Sequence, residues 1–456
     1  MIMLDNTVVN VALPSIRKDL GISISELEWV VNAYALTFGV LLLSGGKLAD
    51  LLGRRAIFIA GLVIFTGASL WCGLAAGATS LIAARTVQGV GAALMNPATL
   101  SIITATFPPR QRGTAIGIWA GVSALALAFG PIIGGLLTQD ISWSWIFFIN
   151  IPVGVLGVVG ALFLIDESKD MSHEQRLDLP GLLTSGIGLF ALTYGLIETN
   201  DHAWGSTRVL TLFAIAAVFL AAFVMLELRQ RLPMLDMTLF KNSTFSGANA
   251  VMFMVGLAMF GIFFYNSLFL QNILGYGAIK TGATFLPMTV LIIFVAPVAG
   301  KLADHIGPRW LMGAGMVLLT GSLLLFATLD AQSTWWDILP GLVVGGVGMA
   351  ITMAPTTAAA MGSVPVDKAG VGSAVINSMR QVGGSLGIAL MGALVATAVS
   401  VSPFNPAFAS QFVEGYHRAL HVGAAITLAG AIIAVTTVRR IRHAEAPSAA
   451  EPAVGA

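Results

Sequence analysis

Cysteine and charge are both scarce in this 456-residue chain, which has one cysteine, Cys72, and only 10% charged residues. A lone cysteine in an apolar stretch excludes an intramolecular disulfide and any cysteine-built metal site. So little charge excludes an ordinary soluble domain, where about a quarter of residues are charged. The formal net charge is +1, without the concentrated basic surface that phosphate binding needs, so no nucleic-acid partner is expected. The six histidines show no metal-ligand spacing, and no metal is expected. A Gly-rich phosphate loop closed by Lys-Ser/Thr is also missing, which argues against direct use of ATP, and no cofactor is expected. Asp5 in the opening segment and the lack of a basic leader argue against a cleavable signal peptide.

What the chain has in quantity is hydrocarbon. Hydrophobic residues make up 57% and the mean hydropathy is +0.88, far too apolar for disorder. The composition predicts an all-α polytopic membrane protein. A bilayer core takes roughly 20 apolar residues per helix, and fourteen such runs can be parsed. Six lie near 1–16, 27–46, 56–76, 80–105, 113–137 and 145–165. Two follow a hydrophilic stretch, at 179–198 and 208–227. The last six lie near 246–272, 281–300, 309–329, 337–360, 370–398 and 418–438.

Short cytoplasmic loops are enriched in Lys and Arg. One side of the parsed topology collects sixteen, among them Lys47, Arg54, Arg55, Arg309 and Arg439; the other collects five. The first side is therefore read as cytoplasmic, with both termini there and the chain in the inner (cytoplasmic) membrane. Trp29, Trp143, Trp145, Trp204, Trp335 and Trp336 fall at the opposite boundary, where amphipathic rings anchor helices. Ending the first span at Ile16 leaves it about 24 Å long, short of the roughly 30 Å core. The first helix is on this reading truncated, with its missing part upstream.

An internal repeat organises the chain. Gly46-Lys47-Leu48-Ala49-Asp50-Leu51-Leu52-Gly53-Arg54-Arg55 recurs as Gly300-Lys301-Leu302-Ala303-Asp304-His305-Ile306-Gly307-Pro308-Arg309. Gly89-Val90-Gly91 with Pro97 likewise matches Gly346-Val347-Gly348 with Pro355. Parallel homologous halves are a transporter device. The expected division is a six-helix bundle over 1–166, a linker with two extra helices over 167–232, a second bundle over 233–438 and a tail over 439–456.

These residues resemble the major facilitator superfamily, and within it the fourteen-helix drug/proton antiporter branch of the EmrB/QacA type. Leu4 to Pro14 resembles the first-helix signature of that branch, and Gly46 to Arg55 the superfamily's loop motif, with Leu51 in place of a usual basic residue. Arg85 to Gly91 resembles the fourth-helix motif. Gly130-Pro131-Ile132-Ile133-Gly134-Gly135, preceded by Gly117, resembles the fifth-helix motif of exporters, with Ala126 where a glycine is usual. Trp145 to Gly154 resembles the start of the sixth helix. The resemblance implies two six-helix bundles plus two additional helices, rocking about a central cavity.

Asp5 lies about 16 Å from the outer boundary and is the only carboxylate placed near the midplane. An ionised acid there is costly, so Asp5 is read as a proton carrier, against the plainer reading of a structural acid bonded to Asn6 or Asn32. By resemblance Arg85 faces the same cavity and tunes that carrier; by position alone it could instead snorkel. Arg380 could compensate Asp5, contact substrate or bond backbone carbonyls. Asn6, Asn10, Asn32, Tyr34, Gln88, Arg380, Gln381, Phe260 and Phe264 are candidates to line the cavity. Most Met and aromatic residues of the ninth span are assigned to lipid. Gly46, Asp50, Gly53, Arg54, Arg55 and Asp304 form a candidate loop gate, a plain positive-inside turn being the alternative. Gly130, Pro131, Gly134 and Gly135 form a candidate hinge and seal, which tight helix packing explains equally.

The resulting expectation is a proton-driven exporter of small amphipathic drugs or antibiotics, not an enzyme. Its partners would be substrate, protons and lipid, with a monomer as the working expectation. An uptake or facilitative carrier of the same fold is the first rival. A membrane-embedded enzyme would need a cluster of reactive side chains at one depth, whereas only Asp5, Arg85 and Arg380 read as deep.

Overall fold

The computed structural model describes residues 1–107, 122, 125, 126, 129–169, 178–230, 233, 235–364, 369–399, 401, 405 and 407–439. All regular structure among them is helical. α1 is Ile2–Leu20, α2 Ile24–Leu52, α3 Arg54–Gly73 and α4 Ala78–Thr106. α5 is described over 129–140, and α6 is Trp145–Leu164. α7 is Leu179–Glu198, α8 Thr207–Arg229 and α9 Ser243–Ile273. α10 runs Ala278–Thr284 and continues as Leu286–Ile306; α11 is Pro308–Phe326, α12 Trp335–Gly362, α13 Ala369–Ala396 and α14 Phe408–Thr437. Among the described residues eleven helices are long and apolar enough to cross a membrane. The remaining three are α1 and α4, which carry the interior polar residues described below, and the partly described α5.

Local chemistry explains where the helices begin and end. Ser23 and Glu26 form a reciprocal capping box at the start of α2, and Thr334 and Asp337 repeat it at α12. Gly53 and Gly307, equivalent in the repeat, both adopt positive φ, +121° and +89°, which admits a sharp break between helices. The Gly53 N–H donates to Ala49 O at 3.1 Å and the Gly307 N–H to Ala303 O at 3.0 Å, so both copies of the loop are built alike.

Of the boundaries that differ from the sequence reading, two have a clear local cause. α1 continues through Arg17 and Lys18 to Leu20 and is closed by left-handed Gly21, because two cations near a helix C-terminus favour the helix rather than end it. α14 begins at Phe408 instead of near 418, since its first turns bury Phe408, Phe412 and Tyr416 among polar neighbours and so escape a search for apolar runs.

α2 and α3 pack on α4; α11 packs on α12 and α14, and α9 on α13. Gly383 and Gly387 of α13 make the last approach possible, since a Cβ on either would strike the α9 backbone at Phe253 or Leu257. The extra helices are placed by the structure: α7 lies against both α2 and α13, and α8 packs on α7. Lys47 Nζ donates to Pro233 O at 2.8 Å, the Arg54 N–H to Ser168 O at 3.0 Å, and Asn242 Nδ2 to Ser363 O at 3.2 Å. These bonds gather one end of the molecule, termed here the basic end; α2 begins at the opposite, far end.

The assignment of α9 to lipid is overturned. Met252, Phe260, Phe263, Phe264, Tyr265 and Phe269 are all buried, because α9 is enclosed by α1, α12, α13 and α14.

Candidate functional site

Four helices of the first six converge on one polar cluster. α1 supplies Asp5, α4 supplies Arg85 and Gln88 one turn apart, α3 supplies Ser69, and α2 supplies a backbone carbonyl and Tyr34. Arg85 Nη1 donates to Asp5 Oδ2 at 2.6 Å and to Gln88 Oε1 at 2.5 Å, while its Nε donates to Val30 O at 3.0 Å. Gln88 Nε2 donates to Asp5 Oδ1 at 3.1 Å and to Ser69 Oγ at 2.8 Å. The guanidinium also stacks 4.2 Å from the centre of the Tyr34 ring. Asp5 and Gln88 are 0% exposed and Arg85 1%, so a full ion pair stands in a dry interior where each charge depends on the other.

The snorkelling alternative for Arg85 is thereby excluded, and Asp5 bonds neither Asn6 nor Asn32. Asn10 Nδ2 donates to Asn6 O at 2.7 Å, a local helix contact. Arg380 does not pair with Asp5: its Nη2 reaches only Asn377 Oδ1, at 3.4 Å, and its Nε has no partner among the described residues.

A second polar band lies between α2 and α13. Gln381 would be 3.1 Å from a Cβ on Gly39, which sets how closely the two helices approach. Both amide atoms of Asn32, both of Gln381, the Tyr34 hydroxyl, and the hydroxyls of Ser378 and Ser385 have no partner among the described residues. Such groups are costly when left unpaired, and they offer donors and acceptors to a bound molecule. Phe260 packs beside Gly384 of α13, and Phe264 lies 5.0 Å ring to ring from Tyr265, giving apolar surface next to this band.

The candidate hinge residues meet both sets of six helices. A Cβ on Gly130 would strike Thr7 of α1, one on Gly134 would lie 2.9 Å from Val8 Cα, and one on Gly135 would lie 2.8 Å from Ala278 O of α10. The Pro131 carbonyl abuts Gly282. Gly117 and Gly121 lie outside the described residues. Ser267 Oγ donates to Asn10 O at 2.6 Å and Gln271 Nε2 to Val11 O at 2.8 Å, joining α9 to α1.

In the loop motif Arg54 pairs with Asp50 at 3.0 Å, and Arg55 Nη1 donates to Ile165 O at 3.0 Å. Glu167 accepts from the N–H groups of Arg55 and Ala56, capping α3. Gly46 faces Pro97 of α4. These described contacts stay within the first six helices and the segment after them. Asp304 lies on α10, and its side chain is outside the described residues.

Buried carboxylates are not confined to Asp5. Glu28 is 0% exposed and Glu227 3%. Glu28 sits only one turn into α2 and so reads as a rim residue by position. The available signal was periodic: Glu28, Asn32, Ala35 and Gly39 share one helical face, the one turned to α13.

Long apolar helices in two related sets, enclosing polar groups no soluble core would leave unpaired, are the construction of a membrane transporter. The family model described as Major Facilitator Superfamily matches residues 1–388. The tetracenomycin C resistance and export protein of Streptomyces glaucescens is 35% identical over 399 residues, 88% of this chain and 74% of its own. The puromycin resistance protein of Streptomyces alboniger is 35% identical over 444 residues, 95% and 88% of the two chains. The chain belongs to the major facilitator superfamily and is a multi-pass membrane transporter. A bacterial homolog of the human lysosomal transporter Spinster, in an inward-facing and occupied conformation, superposes with a TM-score of 0.64 at 18% identity. That match covers 95% of this chain and 92% of the other, a likeness of fold alone.

Proposed function

We propose that the chain is a proton-coupled exporter of amphipathic drugs or antibiotics in a bacterial cytoplasmic membrane, of the fourteen-helix drug/proton antiporter branch. The basic end faces the cytoplasm, with both termini there, and residues 1–166 rock against 233–438 as a monomer. Relatives named for antibiotic resistance and export support the substrate class. The observation that carries the coupling is the buried Asp5–Arg85 pair, with both carboxylate oxygens held by α4.

A proton on Asp5 cancels the charge that Arg85 neutralises and weakens the tie between α1 and α4. Arg85 keeps Gln88, Val30 O and the Tyr34 ring, which hold its position while its charge is left without a counter-ion. Tyr34 faces Arg85 and also belongs to the α2–α13 band, which gives substrate a route to sense the proton. Substrate would take its hydrogen bonds from Asn32, Tyr34, Gln381 and Arg380 and its apolar contact from Phe260 and Phe264. The glycines of α5 would serve as hinge and seal, and the Asp50–Arg54 loop as a gate.

The experiment follows drug accumulation and proton release together in proteoliposomes under an imposed pH gradient. Asp5→Asn keeps the size of the side chain but carries no exchangeable charge; it should abolish uphill export and retain downhill exchange. Uphill transport at the wild-type rate would remove Asp5 as the carrier.

A further inference from the structure

Glu28 is unused by this mechanism, yet it is wholly buried. Its Oε1 accepts from the Tyr265 hydroxyl of α9 at 2.6 Å and from Asn200 Nδ2, just past α7, at 3.3 Å. Its Oε2 has no partner among the described residues. Gly392 of α13 closes the site, since a Cβ there would overlap Glu28 Oε1 and lie 2.6 Å from the Tyr265 hydroxyl. One carboxyl group therefore joins α2 of the first set to α9 and α13 of the second, beneath the turn between the extra helices.

Among the described residues no cation contacts Glu28. α9 presents Tyr265 and α13 the bare Gly392. The α7–α8 turn presents Asn200 and Asp201, whose carboxylate accepts from Ser25 Oγ at 3.0 Å. On α2 itself Glu26 is engaged by Ser23. The basic side chains of that turn, His202 and Arg208, both contact Glu198, at 3.1 and 2.9 Å. An ionised Glu28 would thus hold its charge in a closed contact with one oxygen bare, whereas protonation removes that charge.

We propose that Glu28 is a second proton-binding site, separate from Asp5, whose protonated form holds the far end closed across α2, α9 and α13. Loss of that proton places an uncompensated anion in the contact, and hydrating it requires the helices to part. This extends the proton-coupled reading above, because a proton arriving at the far end would then close that end behind released substrate. Asn200 gives the extra helix pair a part in this site, as a donor from above.

The test is a pH titration of distance in purified protein, with no drug and no gradient. Lys18→Cys and Thr397→Cys, both exposed at the far ends of α1 and α13, carry spin labels, and the native Cys72 is buried. The short-distance population should predominate at low pH and fall by up to about tenfold per pH unit through the transition, the slope of one proton. Glu28→Gln should keep the short distance throughout, and Asp5→Asn should leave the transition in place. Tyr265→Phe removes a donor to the carboxylate and should displace the midpoint, which keeps the test open if Glu28→Gln folds poorly. An unchanged transition in Glu28→Gln and Tyr265→Phe overturns the assignment, as does a wild-type distance independent of pH. Because Asp5→Asn is judged by uphill transport and Glu28→Gln by this titration, either idea can fail while the other stands.

Discussion

Two polar regions of the interior are built in opposite ways. In the first, Asp5, Arg85, Gln88 and Ser69 satisfy one another in a closed circuit. In the second, Arg380 finds only a weak neighbour on its own helix, and Gln381 finds no partner among the described residues. At the position equivalent to Arg85, α12 carries Leu342, which is fully buried. Duplication supplied the same scaffold twice, and divergence kept the charge pair to one copy, while the unpaired donors and acceptors are shared between Asn32 and Tyr34 of α2 and Ser378, Gln381 and Ser385 of α13. A closed circuit suits a site whose occupant is a proton, which needs no space. An open band suits a molecule that brings its own hydrogen-bonding groups.

Breaking the closed circuit should have the largest effect. Arg85→Ala strands the Asp5 charge in a dry interior and should cost about 3–5 kcal/mol in stability, with transport at background. Arg85→Lys should retain more of both, though it lacks the planar fork that serves Asp5 and Gln88 together. Thermal unfolding in detergent with a matched transport assay checks this, and Arg85→Ala unfolding like the wild type would mean that Asp5 is not charged in the folded protein.

Gly383→Leu attacks the other region through its backbone, forcing α13 away from Phe253 of α9. Overpacking of this kind costs about 1–3 kcal/mol, and the displaced Arg380 and Gln381 should raise the KM for substrate more than they lower kcat. An unaltered KM in a folded variant would detach the band from substrate binding.

Tyr34→Phe sharpens the contrast, because its hydroxyl has no described partner to lose. Stability should stay within about 0.5 kcal/mol of the wild type, while the affinity for substrate falls in a binding titration. A marked loss of stability would show that the hydroxyl is already satisfied in the folded protein.

The smallest effect is expected at the loop. Asp50 and Arg54 are a partly exposed i,i+4 pair, so Asp50→Asn should cost only about 0.3–0.5 kcal/mol. Asp50→Asn should also impair transport more than Asp304→Asn in the same assay, since only the first copy keeps a second Arg where the repeat has Pro308. Equal, near-normal transport in both would reduce these residues to topology signals.

Much of this was legible in the residues themselves. Apolar runs of membrane length gave the helices, and the recurrence of Gly46 to Arg55 at Gly300 to Arg309 gave the duplication, because both are statements about neighbours in the chain. Asp5 and Arg85 stood out since charge is rare in an apolar run. That they bond each other was not legible, as 80 residues separate them and depth along a helix does not reveal rotation about its axis. For the same reason the aromatic face of α9 could be assigned to lipid with equal right.

Composition and periodicity thus determined the class of protein, the number of helices and the repeat, since these follow from the local match between side chains and hydrocarbon. Only the tertiary structure decided which faces meet. It set α7 against α2 and α13, closed the Asp5–Arg85–Gln88 circuit and buried Glu28 under Asn200 beside Gly392. Each of these depends on helix rotation and on glycines that let backbones approach, and a hydrophobic pattern alone does not encode which of several apolar faces a given glycine will meet.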